Sequence, residues 1–471
     1  WTWSNTATYN FTLADKHNFS VLLGAELSKQ NSIDWSGYSE GFGFEDPDYM
    51  WPNAATGTAR VSGAMVGYRL ASFFGKVDYN YDDLVLASFT IRRDGSSRFG
   101  KDNRWGTFPA ATLGFRASKL IDKNWLDDWK IRLSWGKTGN QAIDNNAQFG
   151  IYVVDYGLDR ITSTAYDLYL QGSGTFPSGY RATQLPNPNL KWEAATQYNI
   201  GTDFSLFHSQ LYGSIDWYIK DVDDMLISPA FIGTKGEGGA TWMNGPSLRN
   251  WGMEFMLGYR KTLSCGLGLD ISANADFFRN RVTSLPASAT GSYAHTSKQT
   301  LVQSKQPYGS IVGYVVDGLF QTQEEVDASG QANARVGGLK YADLDGNNII
   351  TADDQDWIYN PVPAFSYGIN IGLTYKDFDL SMFWQGVGKR DWFPAKESSY
   401  FWGQYGRSYG FALPWQDESH RWTEENQNSK AYWPRMRGYI AEKAKGIMSS
   451  SNDRYIQDAS YIRLKNLTVD Y

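Results

Sequence analysis

The sequence is short of the residues from which most active centres are built. Its 471 residues include one cysteine, Cys265, and four histidines, His17, His208, His295 and His420. A single thiol permits no intrachain disulfide and no cysteine-based zinc cluster. Cys265 falls in a strand-like run and reads as an inert small apolar residue. The histidines are scattered without metal-ligand spacing, and His17 and His208 lie beside expected short turns, facing solvent. No run of about 20 apolar residues is present, so no helix of this sequence can cross a bilayer. Stretches such as Leu84-Val85-Leu86-Ala87 are too short. A basic excess is missing as well: the formal net charge is -6, the pI is about 5.4, and a general nucleic-acid binder would want a basic face. The opening Trp1-Thr2-Trp3-Ser4 has no charged, then apolar, leader character. A secretory signal is therefore expected upstream of these residues. Tyr471 falls inside a strand-like run, so the chain reads as a fragment cut at both ends. No nucleophile elbow or phosphate-cradling glycine loop is found. Asp223-Asp224 and Glu324-Glu325 read as solvated loop charge, and no catalytic residue is expected.

Aromatic residues, by contrast, are abundant: 19 Trp, 30 Tyr and 25 Phe, or 16% of the chain. Mean hydropathy is nevertheless polar, at -0.47. A membrane β-barrel reconciles the two, because apolar and polar residues alternate along each strand while aromatic girdles raise Trp and Tyr. A large soluble all-β protein fits composition equally well, so patterning has to decide.

The patterning is that of strands. From Phe365, apolar side chains recur at Tyr367, Ile369, Ile371, Leu373 and Tyr375, with Ser366, Gly368, Asn370, Gly372 and Thr374 between them. Successive side chains of a strand point to opposite faces, so one face is apolar and the other small and polar. After Lys376-Asp377 the alternation resumes at Phe378, Leu380, Met382 and Trp384, which predicts a tight hairpin. Similar hairpins are expected around residues 207–210 and 260–266, and a turn around 119–129. Long polar or Gly-rich stretches fall near 28–60, 137–190, 221–250, 281–363 and 386–455. Short and long connections thus alternate, as periplasmic turns and extracellular loops do in outer-membrane barrels. Asp203, Asp216, Asp270 and Asp276 fall on the polar face and read as solvated charges of a wet lumen. The whole of residues 1–471 is read as part of one transmembrane antiparallel β-barrel.

Several segments resemble conserved blocks of SusC-like TonB-dependent transporters. Arg92-Arg93-Asp94-Gly95-Ser96-Ser97-Arg98-Phe99-Gly100, then Asn103-Arg104-Trp105-Gly106-Thr107-Phe108-Pro109, is the most specific. Ile131-Arg132-Leu133-Ser134-Trp135-Gly136-Lys137-Thr138-Gly139-Asn140-Gln141 resembles the next block, followed by Asn187-Pro188-Asn189-Leu190-Lys191-Trp192-Glu193. Gly313-Tyr314-Val315-Val316-Asp317-Gly318-Leu319-Phe320 and the run from Asp453 to Leu467 come later, in the family's order. The resemblance implies a 22-stranded, plugged barrel in a Bacteroidetes-like outer membrane, of which this chain is a central-to-late part. It implies a SusD-like surface lipoprotein as partner, TonB acting through a plug outside these residues, and import of a nutrient oligomer, glycan before peptide. A surface-exposed all-β glycan-binding protein or glycoside hydrolase is the rival, although no carboxylate pair stands out for hydrolysis. A barrel serving as a signalling receptor or anchor is a second.

Three groups of residues carry candidate chemistry. Arg92, Arg93, Arg98 and Arg104 bracket an Asp-Gly turn signal near a strand end. They read either as a loop clasp pairing with neighbouring acids, which is preferred, or as an inward ladder for acidic plug residues or substrate carboxylates. Residues 343–354 resemble a calcium loop, with Asp343, Asp345, Asn347, the Ile349 carbonyl and Asp354 at the ligating positions. Asn348 replaces the usual glycine and Asp354 the usual glutamate, so a structural Ca²⁺ competes with a metal-free polar turn. A late loop contributes Tyr400, Phe401, Trp402, Tyr405, Tyr409, Trp415, Trp422, Tyr432 and Trp433. Of these, Trp402, Tyr405, Tyr409 and Trp415 are candidates for gripping substrate, against a packing role for the whole set.

Overall fold

Alternation of apolar and polar side chains produces a meander of long strands. The computed structural model describes residues 1–44, 46–154, 180–228, 241–285, 307–394, 417, 419–435 and 452–471. The main sheet contains β1 (Thr2–Leu13), β2 (His17–Ser39), β3 (Ala59–Tyr81), β4 (Val85–Ser96), β5 (Trp105–Arg116), β6 (Leu126–Asn140) and β7 (Glu193–Leu206). It continues with β8 (Leu211–Asp223), β9 (Ser247–Thr262), β10 (Leu267–Ser284), β11 (Phe365–Tyr375), β12 (Phe378–Gly388) and β13 (Tyr461–Asp470). Each strand lies beside its neighbours in the chain, the arrangement that the shortest connections favour.

The residues fall into two compact units. The first holds 1–115, 134–197 and 222–245, the second 116–133, 198–221 and 246–471. Within the second, the register sets one face at a time. Met253 pairs with Phe277, and Phe277 with Phe365, while Ile271 faces both Tyr259 and Ile371. Ile371 lies opposite Met382, and Met382 opposite Leu467. The other face carries Glu254 beside Asp276 and Ser272 beside Asn370. Within the first unit, Leu23 faces Ala7 and Gly75, and Phe73 lies opposite Arg93.

The apolar face stays open. Leu23 is 63% exposed and Phe73 52%, values no sandwich core would show. Fully buried apolar side chains gather instead in the long connections. Phe99, Ile143, Ala147 and Leu190 form one cluster, and Leu319, Leu339, Trp422, Ala431, Trp433 and Tyr455 form the other. An apolar sheet face that no protein core covers has the hydrocarbon of a membrane as its natural solvent.

Tight turns and longer connections join the strands of the main sheet, and the turn expected over 119–129 ends at 125, just before β6 begins. Short turns occupy 14–16, 82–84, 207–210, 263–266 and 376–377. Ala14, Asp15, Asp82 and Asp83 take positive φ, the left-handed backbone that tight hairpin connections use to match strand twist. The long stretch expected over 28–60 is corrected: β2 runs on to Ser39 and β3 starts at Ala59, leaving 40–58 as the connection. Polar residues such as Ser32 and Ser36 sit opposite Val66 and Ser62 and continue the ladder. The strand ends likewise take in 137–140, 221–223, 247–250, 281–284 and 386–388. Cys265 lies exposed in the 263–266 turn rather than in a strand. Its Ser264 and Gly266 neighbours close the hairpin there.

Candidate functional site

Neighbouring residues of a strand must diverge, and this separates the four arginines. Arg92 lies on the polar face of β4, where its Nε donates to Asp94 at 2.8 and 3.0 Å and its Nη2 to Ser72 Oγ at 3.0 Å. Glu26 stands 4.0 Å away. Arg93 emerges on the apolar face, its guanidinium 5.6 Å from the Trp105 ring. Arg98 belongs to the loop beyond β4, donating to Asn145 Oδ1 at 2.8 Å and to the Gln141 carbonyl at 2.9 Å, over the Tyr68 ring. Arg104 contributes its carbonyl, which accepts from Trp192 Nε1 at 3.0 Å. Strand parity places Arg92 and Arg93 on opposite faces, and of the four only Arg92 meets carboxylates among the described residues.

The polar face carries its own ladder, with Arg132 at its centre. Its Nε donates to Asp203 Oδ2 at 2.7 Å, and its Nη2 to Asp203 Oδ1 and Asp216 Oδ2, both at 2.9 Å. This fork on a carboxylate is the geometry that guanidinium favours. Farther along, Arg260 donates to Asp270 at 2.9 Å. Asp203, Asp216 and Asp270 are thus ion-paired rather than merely solvated. Asp276 differs: it faces Glu254 across the strands, and its Oδ1 is buried without a hydrogen-bond partner among the described residues. Residue type alone did not reveal these pairings, because Arg132 and Asp203 stand 71 residues apart. Extending the parity reading to Arg132, flanked by outward Ile131 and Leu133, would have placed it on the polar face without naming its partners.

The 343–354 loop folds around its own acids. Asp343 accepts backbone N–H groups from Gly346 and Asn348, both at 2.7 Å. These bonds, from Asn348 first, hold its carboxyl below the usual carboxylate range. Asp345 accepts from the Asn347 N–H at 3.1 Å, and Asn347 Oδ1 from the Ile349 N–H at 2.7 Å. Asp354 is buried and accepts from Leu344 and Thr351 N–H at 3.0 and 2.8 Å. One carboxylate oxygen from each of Asp343, Asp345 and Asp354 falls within a 4.8 Å group. Asn348 adopts φ 60°, the left-handed conformation for which glycine is usually recruited and which asparagine tolerates. Three converging hard oxygen donors on such a loop fit a divalent cation of the calcium type.

The late aromatic loop divides. Trp402, Tyr405, Tyr409 and Trp415, with Tyr400 and Phe401, lie outside the described residues. Trp422 and Trp433 are each 1% exposed. Trp433 stacks on Tyr455 at 5.3 Å, Tyr432 meets Trp433 edge-on, and Trp422 Nε1 donates to Gln321. Trp422 and Trp433 pack the core of this loop, with Tyr432 half-buried against them.

Comparison with known proteins gives this geometry its setting. The family described as TonB dependent receptor-like, beta-barrel, matches residues 1–471. TonB-dependent receptor P3 of Formosa agariphila is 30% identical over 99% of this chain and 45% of its own length. TonB-dependent receptor SusC of Bacteroides thetaiotaomicron is 29% identical over 97% of the chain and 42% of its own length. The RagAB peptide transporter superposes with a TM-score of 0.77 at 22% identity, covering 99% of this chain and 48% of that one, a likeness of fold. The chain spans less than half the length of the curated relatives it matches. An apolar face open to hydrocarbon, a polar face of paired charges and a match over every residue agree: the chain belongs to the TonB-dependent receptor β-barrel family, as a SusC-like stretch of an outer-membrane barrel wall.

Proposed function

We propose that this chain supplies much of the wall of an active importer that carries a nutrient oligomer, glycan before peptide, across the outer membrane. A SusD-like surface lipoprotein captures cargo with the long connections, and TonB drives release through a plug domain. The observation that carries this reading is the two-faced sheet. Its apolar side is exposed at Leu23, Phe73 and Ile271, and its polar side holds the Arg132, Asp203 and Asp216 ion pairs. Such a wall separates lipid from a water-filled passage. Trp402, Tyr405, Tyr409 and Trp415 are the substrate-gripping candidates, since flat rings stack on sugars and on peptide side chains alike.

The acid loop supports a second role. Asp343, Asp345 and Asp354, with Asn347 and the Ile349 carbonyl, would hold a structural Ca²⁺ that pins residues 343–354 in shape. A bound cation would neutralise the converging carboxylates there.

Native mass spectrometry of the full-length protein, extracted from its outer membrane in mild detergent, tests the importer. The expected result is a detergent-dependent complex containing a lipidated partner, with cargo released as glycan or as peptide. A water-soluble species that never holds a lipoprotein would overturn it.

A further inference from the structure

The outward face of the first unit carries cations where an apolar surface should be. Lys29 on β2 and Arg69 on β3 are direct cross-strand partners, and two like charges in that position repel. Both occupy the parity of Leu27 and Phe73, the apolar side. Arg93, on the same side of β4, lies against Phe73 and Trp105. Arg104 joins Lys29 and Arg69 in lining a cleft of about 950 Å³, with Trp105 on its wall. Among the described residues, no carboxylate stands within ion-pair reach of these four. The polar face behaves in the opposite way: Lys76, Arg92, Arg132 and Arg260 each hold an aspartate at 2.9 Å or less.

Height along the strands gives the cluster a location. Lys29 and Arg69 lie twelve residues above the His17–Tyr81 end of the ladder. At ~3.3 Å per residue that is about 40 Å of strand. A tilt of ~40° turns it into about 30 Å, just beyond an apolar band about 25 Å tall and so at headgroup level. A second cleft, of about 800 Å³, includes Arg93 in its lining with Leu23, Phe73, Ile91 and the small Ala7 and Ala25. It is a groove with an apolar floor and a cation on its wall, and the larger cleft adds three more cations. Uncompensated charge beside lipid is costly, and cation clusters at a bilayer edge recognise anionic headgroups.

We propose that this face holds a phosphate-bearing glycolipid of the outer leaflet. Its phosphates are bound by Lys29, Arg69, Arg93 and Arg104, and an acyl chain lies along Leu23, Phe73 and Ile91. Arginine meets phosphate oxygens through its donor fork, and Trp105 marks the interfacial level. The site faces away from the passage, so it binds membrane and not cargo.

The full-length protein, with its partner, is reconstituted into nanodiscs of neutral phospholipid containing phosphorylated lipid A or its dephosphorylated form. Retained glycolipid is then counted by native mass spectrometry. The expected result is retention of the phosphorylated form only, on the order of 100-fold weaker when three cations are removed together in Lys29→Gln/Arg69→Gln/Arg93→Gln. Arg69→Gln alone keeps the test readable if the triple variant does not assemble, and Lys76→Gln, an inward cation, retains the lipid. Equal retention by the triple variant, or by the dephosphorylated lipid, overturns the proposal. So does full competition by inorganic phosphate at the same phosphate concentration, which would mark a free-anion site. A protein that never enters the nanodisc would instead sink the importer reading, so the two failures are distinguishable.

Discussion

Arg132 grips Asp203 through two parallel N–H···O bonds, of 2.7 and 2.9 Å, and reaches Asp216 with the same guanidinium. One cation therefore ties two carboxylates on the polar face. Replacing Arg132 by Met leaves Asp216, whose side chain is only 14% exposed, without its partner. The site is partly wet, so the expected cost is about 1–2 kcal/mol. Urea unfolding in detergent micelles checks this, and a double-mutant cycle with Asp203→Asn should return a coupling of the same sign. Additive effects would show that the fork stabilises nothing.

Trp422 fills the core of the second unit's long connections and also touches the backbone of Gly337. Gly337 has φ 76°, and a Cβ built there would lie 2.3 Å from Trp422 Cε3. Gly337→Ala therefore combines backbone strain with a clash, and Trp422→Ala opens a cavity. The latter is expected to cost about 3–5 kcal/mol. Hydrogen exchange should report faster exchange in residues 316–341 and 419–435, with β10 to β12 still protected. Uniform deprotection of strands and loop together would count against a separate loop core.

Calcium affinity should follow the carboxylates. Asp354→Asn keeps the buried shape but removes the charge, and terbium luminescence should show affinity falling at least tenfold, in the range a lost ligand gives. Asn348→Val keeps every donor yet forces a β-branched residue to φ 60°, costing about 1–2 kcal/mol. An unchanged terbium signal in Asp354→Asn would leave the loop a metal-free turn.

Acid should loosen this loop only late. The Asp343 carboxyl is held below its ordinary value by the Asn348 N–H. A group depressed in the folded state stabilises at pH above its unfolded value, and that contribution disappears as pH falls through the folded one. Loop amides at Gly346 and Asn348 should stay protected at pH 5 and lose protection only below the normal aspartate range. Deprotection between pH 7 and 5 would contradict the assigned bonds.

Much of the architecture was readable because its rule is local. The alternation from Phe365 to Trp384 needs only adjacent residues to be seen, and the hairpin at Lys376-Asp377 follows from it. The acid loop was legible for the same reason, since its donors are within twelve residues. Register was not legible: which aspartate meets Arg132 depends on strands 71 residues apart. The reach of β2 to Ser39 was hidden because its last third is polar enough to read as loop. Arg92 and Arg93 were grouped by composition, and parity along the strand pulls them apart.

The length of β2 and β3 has a consequence for how such a chain can change over generations. Each has 23 residues, and their side chains alternate with a period of two. Losing one residue between Ser20 and Glu26 would rotate everything beyond it by half a period, turning Leu27 toward water and Ser28 toward lipid. Losing two would preserve both faces and merely shorten the hairpin. Viable insertions and deletions within these strands should therefore come in even numbers, while the connection at 40–58 can absorb any number.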